Sequence, residues 1–338
     1  MQTIRLFQFI ALFLVTISMG CNGSSSKNMS ELENKKSSDP TVSLSNSNTW
    51  NSKSTTTSFL IRSKALLATR FKSLDEFKSR IRIEYDNDSA YSGESSSENS
   101  RVLLTYISNG QKVISELKSG ISQGDILKVQ DADYWDQSSF ILRSPYSIRN
   151  RIDLGKIYML ARRRHHIFGE GDVAFYDLAE ASVKNITTYN LAYQNAKDSS
   201  EKGYINTFNH VTAQAFVTTF FSEELADFMA DVHERHHMPE LTTGRFTEEQ
   251  LNDSLNYPLD NYVDMINNEV GQEIGIQLRK KYNISSETRW TPELLTNFLN
   301  DLQSYYIWAL EIGLKPFRPT DELVIRFSNK INAVLDGV

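Results

Sequence analysis

Three segments decide the fold of this chain of 338 residues: NTFNHVTAQAFVTTFF at 206–221, SEELADFMADVHERHH at 222–237 and YVDMINNEVGQEIGIQL at 262–278. The first segment is apolar on nearly every side, which predicts a buried central helix over Tyr204–Phe221. In the second, Ser222 is a residue type that begins helices, and the two glutamates after it suit a first helical turn. We therefore expect a mainly α fold, a multi-helix bundle packed around the first segment.

The third segment has two faces when it is drawn as a helix. One face is an ordinary apolar stripe, formed by Val263, Ile266, Val270 and Ile274. The other face carries a carboxylate, two amides and two glycines, at Asp264, Asn267, Asn268, Gly271 and Gly275. Amides and glycines are poor helix formers, so helix propensity does not explain them. The second face therefore indicates either the polar wall of a pocket or a packing face with a buried hydrogen-bond network.

Four of the six histidines fall in these segments. A single histidine on a buried helix, such as His210, is more often a satisfied core residue than a catalyst. His233-Glu234 followed by His237 formally fits the His-Glu-x-x-His pattern of zinc proteases. Pro239 ends the segment soon afterwards, so the helical continuation of that motif is missing and the pattern is a weak protease signature.

Together the three segments resemble an uncharacterised family of bacterial helical domains. That family has an Arg-His-Ala motif, a His-Glu pair and an Asp-x-x-Asn-Asn-x-x-Gly segment, which here read Asn209-His210-Val211, His233-Glu234 and DMINNEVG at 264–271. The similar part covers roughly 178–281, and the chain departs from the family where Asn209 replaces the arginine. The resemblance implies an enzyme-like helical domain, likened to phospholipase-like folds, of secreted, lipid-anchored and toxin-associated proteins. It implies a site without specifying a reaction.

Residues 1–21 have the order of a bacterial lipoprotein signal peptide. Arg5 supplies the positive start, and the apolar run Leu6–Met19 is too short to cross a bilayer. Gly20 then precedes Cys21, although Ser18 stands where lipoproteins usually have leucine. We predict that Cys21 is lipidated and anchors the protein to a bacterial membrane, at the outer membrane or periplasmic face of the cell envelope. The alternative is an ordinary secretory signal with an incidental cysteine.

Composition limits the chemistry of the rest of the chain. Residues 22–57 are rich in Ser, Asn, Thr and Lys and have scarcely any large apolar side chains, which predicts a disordered tether. Cys21 is the only cysteine, so an acylated protein has no thiol for a nucleophile, a thiolate metal site or a disulfide. The net charge of −6 argues against general nucleic-acid binding.

We divide the remaining chain near residue 150. Residues 58–150 are predicted to form a smaller, mostly helical region, because apolar residues recur at helical spacings over Leu60–Glu84. A second apolar segment, Val102–Leu117, is predicted as a helix, with a strand as the alternative for its first six residues.

Residues 151–338 are predicted to form the α-helical domain that carries the site. Its last two helices have clear start signals, at Thr291-Pro292-Glu293 and at Thr320-Asp321-Glu322. Gly313 and Pro316 to Pro319 separate these two helices along the chain.

A hydrolase of the cell envelope is the leading hypothesis for the polar residues. In it, His210 is the general base that activates water, and Asp264 or Glu234 orients its ring. Asn267 and Asn268 hydrogen-bond the substrate or a developing oxyanion. Because the protein is expected at a membrane, a lipid or other acyl ester is the natural substrate, by analogy alone.

Two other hypotheses use the same residues. In one, four side chains bind Zn²⁺ or another divalent metal for hydrolysis: His210, His233, Glu234 and Asp264. In the other, the polar face is a structural network in a non-catalytic envelope lipoprotein, or in a toxin-associated module, that binds an unknown protein partner.

Overall fold

The computed structural model describes residues 61–86, 101–130, 140, 143–188, 198, 201–238, 241 and 259–337. The predicted signal peptide, the predicted lipidation site Cys21 and the predicted tether lie outside the described residues. The fold is mainly α, as predicted. In chain order the helices are α1 (Leu74–Arg80), α2 (Gln123–Gln130), α3 (Pro145–Arg149), α4 (Arg151–Ala161), α5 (His165–Phe168), α6 (Phe175–Lys184), α7 (Asn206–Phe220), α8 (Glu223–His237), α9 (Leu259–Lys281), α10 (Pro292–Leu310) and α11 (Glu322–Asp336).

Helix α7 is the centre of the helical domain, as its composition predicts. Its side chains are buried on all sides, and Phe208, Val211 and Phe216 have no exposed surface. Helices α6, α8 and α9 pack around it. No helix in the described part of the chain has both the length and the apolar character needed to cross a membrane.

Two glycines allow α9 to pack unusually close to α7. A Cβ atom at Gly271 would lie 2.7 Å from the carbonyl oxygen of Val211, and one at Gly275 would lie 2.6 Å from that of Ala215. Such distances are too short for a real Cβ atom, so only glycine permits this separation of the helices. This part of the polar face is therefore a packing contact between two helices.

The predicted helix starts are confirmed. The Ser222 hydroxyl accepts a hydrogen bond from the Leu225 N–H at 3.1 Å, which caps α8. The Thr291 hydroxyl accepts one from the Leu294 N–H at 3.2 Å, and Pro292 occupies the first turn of α10. These caps satisfy N–H groups that have no partner inside the helix.

The N-terminal region contains a sheet that the sequence analysis did not predict. Its antiparallel strands are β1 (Ile81–Asp86), β2 (Arg101–Ser108) and β3 (Gln111–Lys118), in the order β1-β2-β3. The helix predicted over Val102–Leu117 is therefore wrong, and the strand alternative for its first six residues is correct. In the described part of Leu60–Glu84, which begins at residue 61, the only α-helix is α1.

A tight turn joins β2 to β3. Asn109 and Gly110 have φ angles of 50° and 77°, and the strands pair directly on either side of them, Ser108 opposite Gln111. Asn-Gly is the typical pair for a two-residue hairpin turn, because both positions need positive φ.

The sheet covers the outer side of α9. Its inward side chains Val102, Leu104 and Leu117 are buried in a cluster with Val263 and Ile266 of α9. The second half of the α9 stripe, at Val270 and Ile274, belongs instead to the main core around α7. Helix α9 therefore lies between the sheet and the central helix, with its polar face turned toward α7.

Candidate active site

Four of the predicted polar side chains line one cavity where α7, α8 and α9 meet. His210 comes from α7, His233 and Glu234 from α8, and Asn268 from α9. The cavity has a volume of about 90 Å³. Much of its remaining lining is apolar and comes from α4, α6, α7 and α8: Ile157, Ala161, Phe175, Ala213, Val217, Met229 and Ala230. The polar residues are thus gathered on one part of a mainly apolar cavity.

A hydrogen-bond chain holds His210 and Glu234 in a fixed relation. The Asn268 Nδ2 group donates to Glu234 Oε1 at 3.2 Å, which turns the amide oxygen of Asn268 toward His210 Nδ1 at 2.9 Å. An amide oxygen only accepts hydrogen bonds, so we assign the imidazole proton to Nδ1. The lone pair of neutral His210 is then on Nε2.

The Nε2 atom of His210 faces another acceptor. It lies 3.3 Å from Asp264 Oδ2, and it is buried without a hydrogen bond of acceptable geometry. Asp264 in turn accepts from the Asn206 amide at 3.0 and 3.2 Å, and that amide also donates to Asp260 at 3.2 Å. Two acceptors in contact repel each other unless a proton or a cation lies nearby. A proton or a cation between these two atoms would remove that repulsion.

Burial shifts the ionisable groups of the site toward their neutral forms. Burial, and then the charge of Asp264, raises the pKa of Glu234 well above its usual value. Burial also raises the pKa of Asp264 to about 7 and, with the charge of Asp264, that of Asp260 to about 8. Burial lowers the pKa of His210, and burial with neighbouring histidines holds the pKa of His233 well below its usual value. Both imidazoles are therefore neutral near pH 7.

His233 is oriented by a residue far away in sequence. Its Nδ1 atom lies 3.4 Å from the side-chain oxygen of Gln123, at the start of α2. Nδ1 is thus the protonated nitrogen here too, and the lone pair is on Nε2. No local pattern links Gln123 to α8, so sequence reasoning missed it. Sequence reasoning also missed Asn206. A signal for it existed, because Asn206 precedes His210 by one helical turn on the same face.

Among the described residues, one group has ligand atoms spaced for a metal ion. It consists of His210, His233 and Glu234, whose ligand atoms all lie within 4.8 Å of one another. Two imidazoles and a glutamate are the donor set of a class of catalytic zinc sites. The amide oxygens on both Nδ1 atoms also fit, because metal-binding histidines usually donate their other N–H group. Asp264 is not in this group and touches His210 from outside it.

Asn267 does not line the cavity. Its side-chain oxygen accepts a hydrogen bond from the Leu66 N–H at 2.8 Å, and its Nδ2 group donates to the Leu66 carbonyl at 2.9 Å. Thr207 donates to the same carbonyl at 2.8 Å. Asn267 therefore attaches the backbone near residue 66 to α9, and the substrate contact predicted for it gains no support from this geometry.

No protein-family model, curated protein or solved structure matches this chain. The resemblance to the helical family stays a prediction. A function can therefore be inferred only from the chemistry of the cavity and from the N-terminal sequence.

Proposed function

We propose that this chain is a lipid-anchored hydrolase of the bacterial cell envelope that cleaves lipid or other acyl esters with the help of a divalent cation. The observation that supports this best is the convergence of His210, His233 and Glu234 within 4.8 Å of one another on a mainly apolar cavity. An acyl ester likewise has a polar part and an apolar part, because its polar carbonyl group is joined to an apolar chain.

The ligands of the cation would be two neutral imidazoles, from His210 and His233, and the carboxylate of Glu234. A divalent cation with such ligands lowers the pKa of bound water and polarises a carbonyl oxygen. Asn268 orients His210 and Glu234 together, because its amide hydrogen-bonds both side chains. In the net reaction, water adds at the carbonyl carbon, the ester C–O bond breaks, and a carboxylic acid and an alcohol leave.

Gln214 is a candidate donor for the ester carbonyl oxygen. It lines the cavity, and its side-chain oxygen accepts a hydrogen bond from Gln272 at 3.3 Å. Its NH₂ group then remains for a substrate oxygen on which negative charge develops. This role was expected of Asn268, but both polar atoms of that side chain already have partners.

His210 would bind the cation through Nε2, because Nδ1 is hydrogen-bonded to Asn268. The Nε2 atom also faces Asp264. Burial raises the pKa of Asp264 to about 7, and a nearby cation would favour its charged form.

The proposal is tested by metal analysis and ester hydrolysis on the same preparations. The purified full chain is expected to contain a divalent metal at one equivalent and to hydrolyse acyl esters. A chelator should abolish both, and added Zn²⁺ should restore them. His233→Ala should lose metal and activity, because it removes one of three ligands. His236→Ala is the matched control, since this exposed histidine lies on the same helix outside the ligand group.

Two results would contradict the proposal. One is a wild-type chain that binds no added divalent metal and hydrolyses no ester. The other is an equal loss of activity in His233→Ala and His236→Ala, which would point to general damage to α8 instead of loss of a ligand.

The membrane anchor rests on the sequence of residues 1–21. Labelled palmitate should be incorporated into the wild-type chain and should not be incorporated into Cys21→Ser. In cell fractionation, the wild-type chain should remain with membranes after a high-salt wash. Release of the wild-type chain by that wash, without bound label, would rule out the lipid anchor.

A further inference from the structure

An open groove lies on the outer face of the sheet, beside the end of α1, and has a volume of about 850 Å³. Arg80 in this groove pairs with Glu76 at 3.0 Å. Arg82 likewise pairs with Glu84 at 2.6 Å. Both carboxylates lie outside the groove, whose described lining contains four cations and no carboxylate: Lys78, Arg80, Arg82 and Lys112. With the two paired carboxylates counted, the groove keeps two more positive than negative charges.

The rest of the outer face of the sheet is also cationic. Its next carboxylate, Glu116, contacts two cations, Arg101 at 3.2 Å and Lys118 at 3.1 Å. This face therefore carries positive charge although the chain as a whole has a net charge of −6. An anionic partner fits such a face better than a neutral or cationic one.

Exposed apolar side chains accompany the cations. Lys112 is exposed and lies directly opposite Ile107 in the pairing of β2 with β3. Ile107 lines the groove and is 66% exposed, and Ile114, which points to the same side of the sheet, is 48% exposed. Tyr85 also lines the groove. Apolar and aromatic side chains beside Lys and Arg are typical of surfaces that lie in the headgroup layer of a membrane.

The chain that leads to the predicted lipid anchor enters the folded body beside this groove. The Ser63 N–H group donates to the side-chain oxygen of Gln111 at 3.1 Å, and the Arg62 carbonyl accepts from Asn109 Nδ2 at 2.9 Å. Both partners belong to the hairpin that joins β2 to β3, next to the groove. The anchor and the groove are therefore at the same end of the sheet along the chain.

The length of the tether makes a second membrane contact favourable. About 40 residues separate Cys21 from the first described residue, and a flexible chain of that length has an end-to-end distance of about 35 Å. An acylated Cys21 would hold the groove within about this distance of the bilayer. A weak contact is then strengthened, because the tether keeps its effective concentration high. Stable membrane binding commonly combines a lipid chain with a cationic patch.

We propose that the groove, together with Ile107 and Ile114, is a docking surface for anionic phospholipid headgroups, with the outer face of the sheet turned toward the bilayer. The cations contact lipid phosphates, and the two isoleucines enter the headgroup layer. This inference rests on the anchor of the proposed function for the position of the tether, and it is independent of ester hydrolysis.

Vesicle binding tests this surface separately from the lipid anchor. The full chain carrying Cys21→Ser, which has no cysteine to acylate, is sedimented with vesicles of phosphatidylcholine alone and of equal parts phosphatidylcholine and phosphatidylglycerol. Affinity for the anionic vesicles should be at least tenfold higher, since each cation near the surface contributes a factor of about five. High salt should remove this preference, because it screens exposed charges.

Variants within the Cys21→Ser chain assign the preference to the groove, because residues 1–57 are the same in all of them. Lys112→Ala should lower the affinity for the anionic vesicles about fivefold. Ile107→Ala should lower it about fourfold or more, by removing apolar surface. The matched controls are Lys280→Ala, at the far end of α9, and Ile152→Ala, whose side chain is 65% exposed on α4. Both controls should bind as the unsubstituted chain does.

The outcomes separate this surface from the proposed function. Losses in Lys112→Ala and Ile107→Ala, absent in the controls, support the docking surface even if palmitate is not incorporated and no ester is hydrolysed. Equal binding of Lys112→Ala and Lys280→Ala overturns it and leaves the groove to an acidic protein partner. Acylation of Cys21 and ester hydrolysis, observed without those losses, leave the proposed function standing while the docking surface fails.

Discussion

Gly271→Ala tests whether the close contact between α7 and α9 keeps the site together. The new Cβ atom would lie 2.7 Å from the carbonyl oxygen of Val211 and 2.7 Å from the Cβ atom of Gln214, whereas ordinary contact begins at 3.4 Å. Because Val211 presents backbone, it cannot rotate away, and the helices must separate by about 0.7 Å. The hydrogen bond of 2.9 Å between His210 and Asn268 spans the same two helices. A comparable lengthening would break it.

The free energy of unfolding should fall by about 1–5 kcal/mol. Overpacking costs about 1–3 kcal/mol, and a broken buried hydrogen bond costs about 1–3 kcal/mol more. The higher helix propensity of alanine offsets about 1 kcal/mol of this. Urea unfolding followed by circular dichroism measures the loss, and Zn²⁺ titration of the folded variant should give an affinity at least tenfold lower, since Asn268 of α9 would no longer orient the ligand His210.

Glu273→Ala is the control, because this exposed residue lies on the same helix, and its free energy of unfolding should change by less than about 0.5 kcal/mol. If Gly271→Ala unfolds at the same urea concentration as the control and binds Zn²⁺ with wild-type affinity, the glycine does not set the geometry of the site.

Three other changes test separate parts of the structure. Asn267→Ala removes both hydrogen bonds to Leu66 and should cost about 1–3 kcal/mol in urea unfolding while metal affinity stays unchanged. Lys330→Met leaves Asp172 buried without its partner at 2.8 Å and should cost about 3–5 kcal/mol by the same measurement. Burial raises the pKa of Glu269 to about 8, so the folded protein keeps a proton that the unfolded chain releases from about pH 4.5. The free energy of unfolding should therefore fall as the pH rises from about 4.5 to about 8. Glu269→Gln should make the urea midpoint less dependent on pH over this range.

The helical core could be predicted because its pattern is simple. A segment that is apolar on all sides, such as 206–221, has to be surrounded by other elements. Ser222 and Thr291 cap their helices through local hydrogen bonds, which depend on a few neighbouring residues alone. Both faces of α9 could likewise be assigned, since the helical period alone separates its apolar stripe from its polar face.

The sheet was not predicted as the leading structure because apolar and polar residues do not alternate clearly along β2. In β2, Leu103 and Ile107 point outward, and Ile107 is 66% exposed, so apolar residues occupy both faces of the strand. Alternation of apolar and polar residues, the usual signature of a half-buried strand, is therefore blurred. The pair Asn109-Gly110 is the clear hairpin signal in this segment, and it forms the turn between β2 and β3.

The polar site could be predicted only in part. The helical spacing of residues shows which of them share a face of α9, but it does not show which side chains lie opposite that face. Asn267 and Asn268 are adjacent in sequence but point about 100° apart on the helix. Asn268 consequently reaches His210 in α7, whereas Asn267 reaches the backbone of Leu66. That difference depends on tertiary packing, which also brings Gln123 to His233.

The contact between Asn267 and Leu66 has a mechanical consequence. The chain just before Leu66 is attached to the sheet and to α10, since Ser63 and Lys64 donate to Gln111 and Ser108 and the Ser63 carbonyl accepts from Tyr305. A pulling force on the preceding chain therefore reaches Leu66 once these contacts have given way. The amide of Asn267 carries that load through two hydrogen bonds, and Thr207 shares it through a third. Asn267 is next in sequence to Asn268, which orients His210 and Glu234. Tension at the N-terminus would therefore be transmitted to the very turn of α9 that positions the site.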